Sequence, residues 1–132
     1  MNEQELNQLL SAARTASAGS YAPYSGFRVG AAVLDGAGKI HLGCNVENAS
    51  YGLTSCAERN ALAAARAAGA REFQAILIHV PGEIVFEPCG ACRQVMLELM
   101  PDGALVLSTS DSDRRSWTVG ELLPHAFVYP SA

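Results

Sequence analysis

The residues best suited to chemistry sit in two short blocks, Cys56-Ala57-Glu58 and, further along, Pro88-Cys89-Gly90-Ala91-Cys92. Zinc favours tetrahedral sulfur and nitrogen ligands, and a catalytic site keeps one position open beside three protein ligands. Cys89 and Cys92, three positions apart at a predicted helix start, can turn both thiols toward one point. Cys56 lies at another predicted helix start and supplies the third ligand, so the spacing predicts one Zn²⁺ per chain. Helix N-termini favour thiolates over thiols. Three thiolates outweigh the charge of the ion and make it a weaker Lewis acid than a shell containing neutral histidine would. Arg59 is the candidate charge partner that offsets this, by donating to a ligand sulfur. Glu58, two residues after a ligand, is the candidate proton carrier between water and substrate.

Plainer readings stand beside these. Cys44 as a fourth ligand would give a closed, structural all-cysteine site. Yet it falls inside a predicted strand, where a free cysteine packs as a small hydrophobe. Arg59 in a surface ion pair and Glu58 as a solvated helix residue are the ordinary alternatives. His41, His79 and His125 have no partner at ligand spacing, which points to structural or surface roles.

The elements that must position these groups follow from periodicity and turn chemistry. Glu3 to Ala16 reads as an amphipathic helix with Leu6, Leu9, Leu10, Ala13 and Ala16 on one face. Phe27 to Leu34 and Lys39 to Val46 read as a hairpin around Asp35-Gly36-Ala37-Gly38. A loop over residues 48–54 leads to a helix from about Cys56 to Ala68, capped by Thr54 or Ser55 and stopped at Gly69. Phe73 to Val80 reads as a buried strand, Cys89 to Leu99 as a helix, and Ala104 to Thr109 as a strand. Thr118 to Leu123 reads as a short helical turn, and Phe127 to Tyr129 as a short terminal strand or tail. The later β-α-β order predicts parallel neighbours, and the early hairpin makes the sheet mixed.

With 132 residues, 49% hydrophobic and 17% charged, the chain reads as a single domain over 1–132 with a real core. The net charge of −4 and the lack of a basic stripe argue against a polynucleotide partner and favour a small neutral substrate. No secretion signal or membrane-length apolar run is present, so the expectation is a soluble, cytoplasmic protein with no membrane partner. In that setting four cysteines point to metal binding or catalysis rather than disulfides.

The two cysteine blocks resemble the H-x-E…P-C-x-x-C layout of zinc-dependent nucleobase deaminases, with cysteine in place of histidine. Tyr24-Ser25, Phe27-Arg28-Val29-Gly30-Ala31-Ala32, Cys44-Asn45-Val46-Glu47-Asn48-Ala49-Ser50-Tyr51, Cys56-Ala57-Glu58-Arg59, Pro88-Cys89-Gly90-Ala91-Cys92-Arg93-Gln94 and Glu121-Leu122-Leu123-Pro124 with Phe127 extend the likeness along nearly the whole chain. In this order they resemble the small homotetrameric cytidine deaminases. That resemblance implies a three-layer α-β-α fold with a mixed five-stranded sheet. It implies hydrolysis of cytidine and 2′-deoxycytidine to uridine and 2′-deoxyuridine with release of ammonia, as in pyrimidine salvage. Water would be activated by zinc, with Glu58 shuttling the proton.

The same resemblance assigns further residues. Asn45 and Glu47 would hold the sugar, sharing one face of a strand. The Ala57 backbone and Glu58 would read the pyrimidine edge, and Phe27 would pack against base or sugar. Ala49, Tyr51 and Phe127 would approach the active site of a neighbouring subunit in a homotetramer with shared sites. Without the resemblance, Phe27 reads as core, Tyr51 as local packing and Phe127 as a tail anchor. Arg28 stands where the family often has proline and would add a cation near the pocket rim. Blasticidin-type deaminases share the zinc blocks, but the intact Asn45-Val46-Glu47-Asn48 argues for ordinary nucleosides. A structural zinc module without catalysis is the competing class.

Overall fold

The computed structural model describes residues 1–130. Helix α1 (Glu3–Ala18) opens on a reciprocal cap, in which Asn2 Oδ1 accepts from the Glu5 amide at 2.8 Å and Glu5 Oε1 from the Asn2 amide at 3.2 Å. Strands β1 (Gly30–Asp35) and β2 (Ile40–Cys44) form the expected antiparallel hairpin. Helix α2 (Ala57–Ala67) then leads to β3 (Phe73–His79), α3 (Gly90–Leu99) and β4 (Leu105–Thr109). Strand β5 (Arg114–Thr118) and the short helix α4 (Val119–Leu122) complete the described elements. The five strands form one mixed sheet in the order β2-β1-β3-β4-β5, with β3 and β4 parallel as the β-α-β order requires.

Alternation along the central strands sorts their side chains onto two faces. Ala31, Val33, Ile76, Ile78 and Val106 pack with Leu62 of α2 and Met96 of α3. Ala32, Leu34, Ala75, Leu77 and Leu107 pack with Leu9 and Ala13 of α1. The result is the three-layer α-β-α arrangement, in which each fully buried leucine or isoleucine contributes about 1.5–3 kcal/mol. Two glycines bring the helices against the sheet backbone itself. A Cβ on Gly30 would stand 1.9 Å from the Ala13 carbonyl oxygen of α1, and one on Gly43 would stand 2.3 Å from the Ala61 amide nitrogen of α2. The Gly43 contact seats α2, whose first residues follow Cys56.

Four expectations are corrected. Strand β5 runs through Arg114-Arg115-Ser116-Trp117-Thr118, where the sequence shows no apolar alternation. It is an exposed edge, and charged residues there discourage pairing with another chain. Of the two readings for Phe127–Tyr129, the tail holds and the strand does not, its three side chains being 71–83% exposed. The cap of α2 is Cys56 rather than Thr54 or Ser55, since the Ser55 hydroxyl donates to Asn60 Oδ1 at 2.6 Å and the Ser55 backbone bridges to Val46. Strand β2 ends at Cys44, so Asn45 and Glu47 lie past it, around an isolated bridge from Val46 to Tyr21 and Ser55. No helix among the described residues is long and apolar enough to cross a membrane.

Candidate metal centre and active site

Cys56 and Cys89 occupy the N-cap positions of α2 and α3, in extended backbone conformation, and neither sulfur caps its own helix. Cys92 lies in the first turn of α3 and is fully buried. The two helix starts therefore converge, and their positive ends favour negative sulfur. Cys56 Sγ lies 3.9 Å from Cys89 Sγ, which lies 3.3 Å from Cys92 Sγ, and all three fall within 4.8 Å of one another. A tetrahedral zinc sphere with Zn–S bonds near 2.3 Å separates its sulfurs by about 3.8 Å. Three soft donors at this spacing fit zinc. Cys44 is not part of the group, so the described residues provide no fourth cysteine to close the site.

The electrostatics divide the labour. The Cys92 thiol, then the Arg59 guanidinium and the Cys89 thiol, hold the Cys56 thiol down at about 5. Its neighbour Cys56, then burial, push the Cys92 thiol up. Arg59 Nη2 donates to Cys56 Sγ at 3.4 Å and approaches the Thr54 carbonyl at 3.5 Å, so Arg59 reaches a candidate ligand rather than a surface acid. Glu58, in the first turn of α2, is 6% exposed. Burial raises its carboxyl above the usual range, and the negative Cys56 sulfur adds to that.

Beside this cluster lies a cavity of about 250 Å³ whose wall includes Phe27, Asn45, Glu47, Cys56, Ala57 and Glu58. It suits a single small molecule rather than a polymer. Phe27, Asn45, Glu47 and Ala57, all assigned to substrate from the sequence, share it with Glu58 and two of the cysteines. Asn45 and Glu47 also hold the connector over residues 21–29. Asn45 Oδ1 accepts from the Val29 amide at 2.9 Å and Nδ2 donates to the Phe27 carbonyl at 2.7 Å. Glu47 Oε1 accepts from the Tyr24 and Ser25 amides at 3.0 and 3.1 Å, and Oε2 accepts from the Ser25 hydroxyl. These bonds keep the Glu47 carboxyl below its ordinary range, the Ser25 hydroxyl first among them.

Other residues fall elsewhere. Tyr51 meets Tyr24 edge-on at 6.3 Å in an adjacent hollow of about 230 Å³, and Ala49 is exposed in the loop before it. Phe127 lies in a separate surface groove with Gln94, Leu97 and Leu123. The single chain thus leaves Ala49, Tyr51 and Phe127 outside its own cavity. Arg28 is turned away from the rim, its Nη1 donating to the Ala18 carbonyl at the C-terminus of α1 at 3.0 Å, where a cation is favoured. The sequence reading missed the far wall, where Phe86 meets Phe27 edge-on at 4.9 Å and Glu87 pairs with Arg115. The run Ile84-Val85-Phe86-Glu87 directly before Pro88-Cys89 was the available signal.

Residues 3–108 match the family model of the cytidine and deoxycytidylate deaminase zinc-binding region. A cytidine deaminase of Halalkalibacterium halodurans is 49% identical over 121 residues, covering 91% of this chain and 92% of that protein. A cytidine deaminase of Mycobacterium tuberculosis is 42% identical over 127 residues, covering 96% and 92%. The crystal structure of cytidine deaminase from Burkholderia pseudomallei superposes with a TM-score of 0.89 at 48% identity, covering 96% of this chain and all of that one.

Proposed function

The chain belongs to the cytidine and deoxycytidylate deaminase family and is a deaminase of the cytidine class, a hydrolase acting on a cyclic amidine, and from that premise we propose that it converts cytidine and 2′-deoxycytidine to the corresponding uridines and ammonia, in pyrimidine salvage within the cytoplasm. The observation that carries the mechanism is the adjacency of the three clustered sulfurs to a buried, proton-avid Glu58, which shares the cavity wall with Cys56 and Cys89. Cys56, Cys89 and Cys92 would hold one metal ion, and their soft sulfur donors suit zinc. Zinc in that place supplies the Lewis acidity that makes water nucleophilic near neutral pH.

Glu58 takes a proton from the attacking water and passes it to the ring nitrogen, then takes the second proton from the added hydroxyl and gives it to the amine, which departs as ammonia as the carbonyl forms. Its raised proton affinity suits both halves of that exchange. Arg59, bonded to the Cys56 sulfur, withdraws negative charge from the ligand shell. The Ala57 backbone presents the pyrimidine edge to Glu58, Phe27 packs on the base, and Asn45 and Glu47 hold the sugar. The exposed Ala49, Tyr51 and Phe127 complete a neighbour's site in a homotetramer, and the whole chain 1–132 acts as one catalytic domain.

The test pairs a zinc assay with cytidine turnover, followed as loss of ultraviolet absorbance. Zinc-loaded protein should consume cytidine, and inert, zinc-replete protein would remove the proposal. A folded Glu58→Ala chain that retains zinc but loses turnover supports the enzyme over a purely structural module. Sedimentation with and without Phe127 tests the assembly: loss of activity with loss of the tetramer is expected, and a fully active monomer would overturn shared sites.

A further inference from the structure

His79 ends β3 at 2% exposure, on the face that Ala75 and Leu77 turn toward α1. It therefore lies on the opposite side of the sheet from the cavity, whose wall is built by Ile78 and Val80. A titratable ring on an apolar face is costly unless its nitrogens are satisfied. Nδ1 lies 2.9 Å from the Thr109 hydroxyl oxygen, and Nε2 lies 3.3 Å from Asp111 Oδ1. The second Asp111 oxygen, Oδ2, accepts from the Gly82 amide at 2.8 Å, while the Asp111 amide donates to the Gly82 carbonyl at 2.8 Å. One carboxylate thus joins the buried ring to the backbone at the start of segment 81–88. That segment carries Phe86, which meets Phe27 across the cavity, and ends at Pro88 before Cys89. Its far end is tied by Glu87 to Arg115.

Proton accounting makes the link directional. The Thr109 hydroxyl has one proton and two acceptors in reach, Nδ1 and the Ile78 carbonyl at 2.9 Å. A neutral ring with its proton on Nε2 meets the carboxylate, while Nδ1 faces the Thr109 hydroxyl, which also reaches the Ile78 carbonyl. Burial and the nearby Arg14 of α1 favour that neutral ring, against the pull of Asp111. These are the charged groups facing it, one from α1 and one from the loop after β4.

We propose that His79 and Asp111 are positioning residues for substrate binding. Acting through the Gly82 backbone, they fix segment 81–88 and so hold Phe86 against Phe27 as one wall of the cavity. Neither touches substrate. The assignment rests on the deaminase reading, because it concerns the cavity that reading uses.

Asp111 is exposed on the surface, so Asp111→Ala tests the clasp without disturbing the core. The expected result is faster amide hydrogen exchange over residues 82–87 with α2 unchanged. KM for cytidine and Kd for uridine should rise about three- to tenfold, the size of one lost hydrogen bond, with kcat and zinc content preserved. His79→Leu should give the same pattern, and combining the two should add little. His79→Gln, which restores an N–H directed at the carboxylate, should recover most of the binding. Unchanged exchange, or unchanged KM and Kd, in Asp111→Ala overturns the clasp, as does a fall in kcat at constant KM. Absence of turnover by the unsubstituted zinc-loaded chain instead overturns the deaminase reading, and the exchange measurement separates the two failures.

Discussion

The two walls of the cavity are built by different means. On the cysteine side, groups sit on helix starts locked against the sheet, with Cys92 fully buried and Glu58 at 6% exposure. On the opposite side, Phe27 and Phe86 are 40% and 41% exposed, and they ride on irregular segments tied by side-chain-to-backbone hydrogen bonds. Helix starts hold atoms to the tolerance that bond making requires. Strapped loops hold a wall that must admit a ligand and release it. The comparison predicts that damage to the first side stops chemistry, whereas damage to the second weakens binding.

The largest effect should come from Glu58→Gln, which keeps the shape and removes the proposed proton carrier. A fall in kcat of about 10²- to 10⁴-fold is expected, with zinc retained. Steady-state kinetics beside metal analysis decide it, and a loss confined to KM would erase the distinction between the walls. Arg59→Ala comes next, with a decrease of about ten- to a hundredfold in kcat/KM and little change in thermal midpoint. An unchanged turnover rate in a zinc-replete variant would rule out its charge-balancing role.

Gly43→Ala probes the seat of α2. Its new methyl meets the Ala57 carbonyl and Ala61 amide, so a loss of about 1–3 kcal/mol in unfolding free energy is expected, together with weaker zinc retention. Denaturant unfolding measures the first and chelator competition the second. The smallest effect concerns acid. Glu47 titrates below its ordinary 4.5 because Ser25 and Tyr24 donate to its ionised form. A depressed folded value means the clasp stabilises the native state fully above pH 4.5 and loses that contribution as pH falls through the lower folded value. Amide shifts of Tyr24 and Ser25 should therefore titrate with a midpoint below 4.5, and a midpoint at or above it would show that Glu47 does not strap the connector.

The same contrast explains what could be read from the sequence. Cys56, Glu58, Cys89 and Cys92 declare themselves because ligand chemistry restricts residue type and spacing, and the helices that carry them have strong local signals. Short, nearly continuous apolar runs marked β1, β3 and β4, each with two apolar faces to cover. Strand β5 was hidden because an edge needs only one apolar contact, Trp117, and the rest of its length is arginine, serine and threonine. The terminal Phe127-Val128-Tyr129 run could be read as strand or tail because apolar residues carry no record of whether a sheet edge is free beside them. The pairing of Phe86 with Phe27 and the clasp at His79 were illegible for a further reason. Both depend on contacts across the chain, from Phe86 to Phe27 and from Gly82 to Asp111, that no local pattern encodes.

Cysteine at the N-cap of both α2 and α3 has a consequence for engineering. Helices α1 and α4 start on Asn2 and Thr118, whose oxygens satisfy a backbone amide, whereas Cys56 and Cys89 leave that place uncapped. Serine at either position offers the missing cap, worth about 1 kcal/mol, as it removes a sulfur donor. Cys89→Ser should therefore yield a chain that folds well yet holds zinc poorly, which calorimetry and metal analysis on one sample would reveal. At these two positions, selection for a foldable scaffold and selection for a working catalyst pull toward different amino acids.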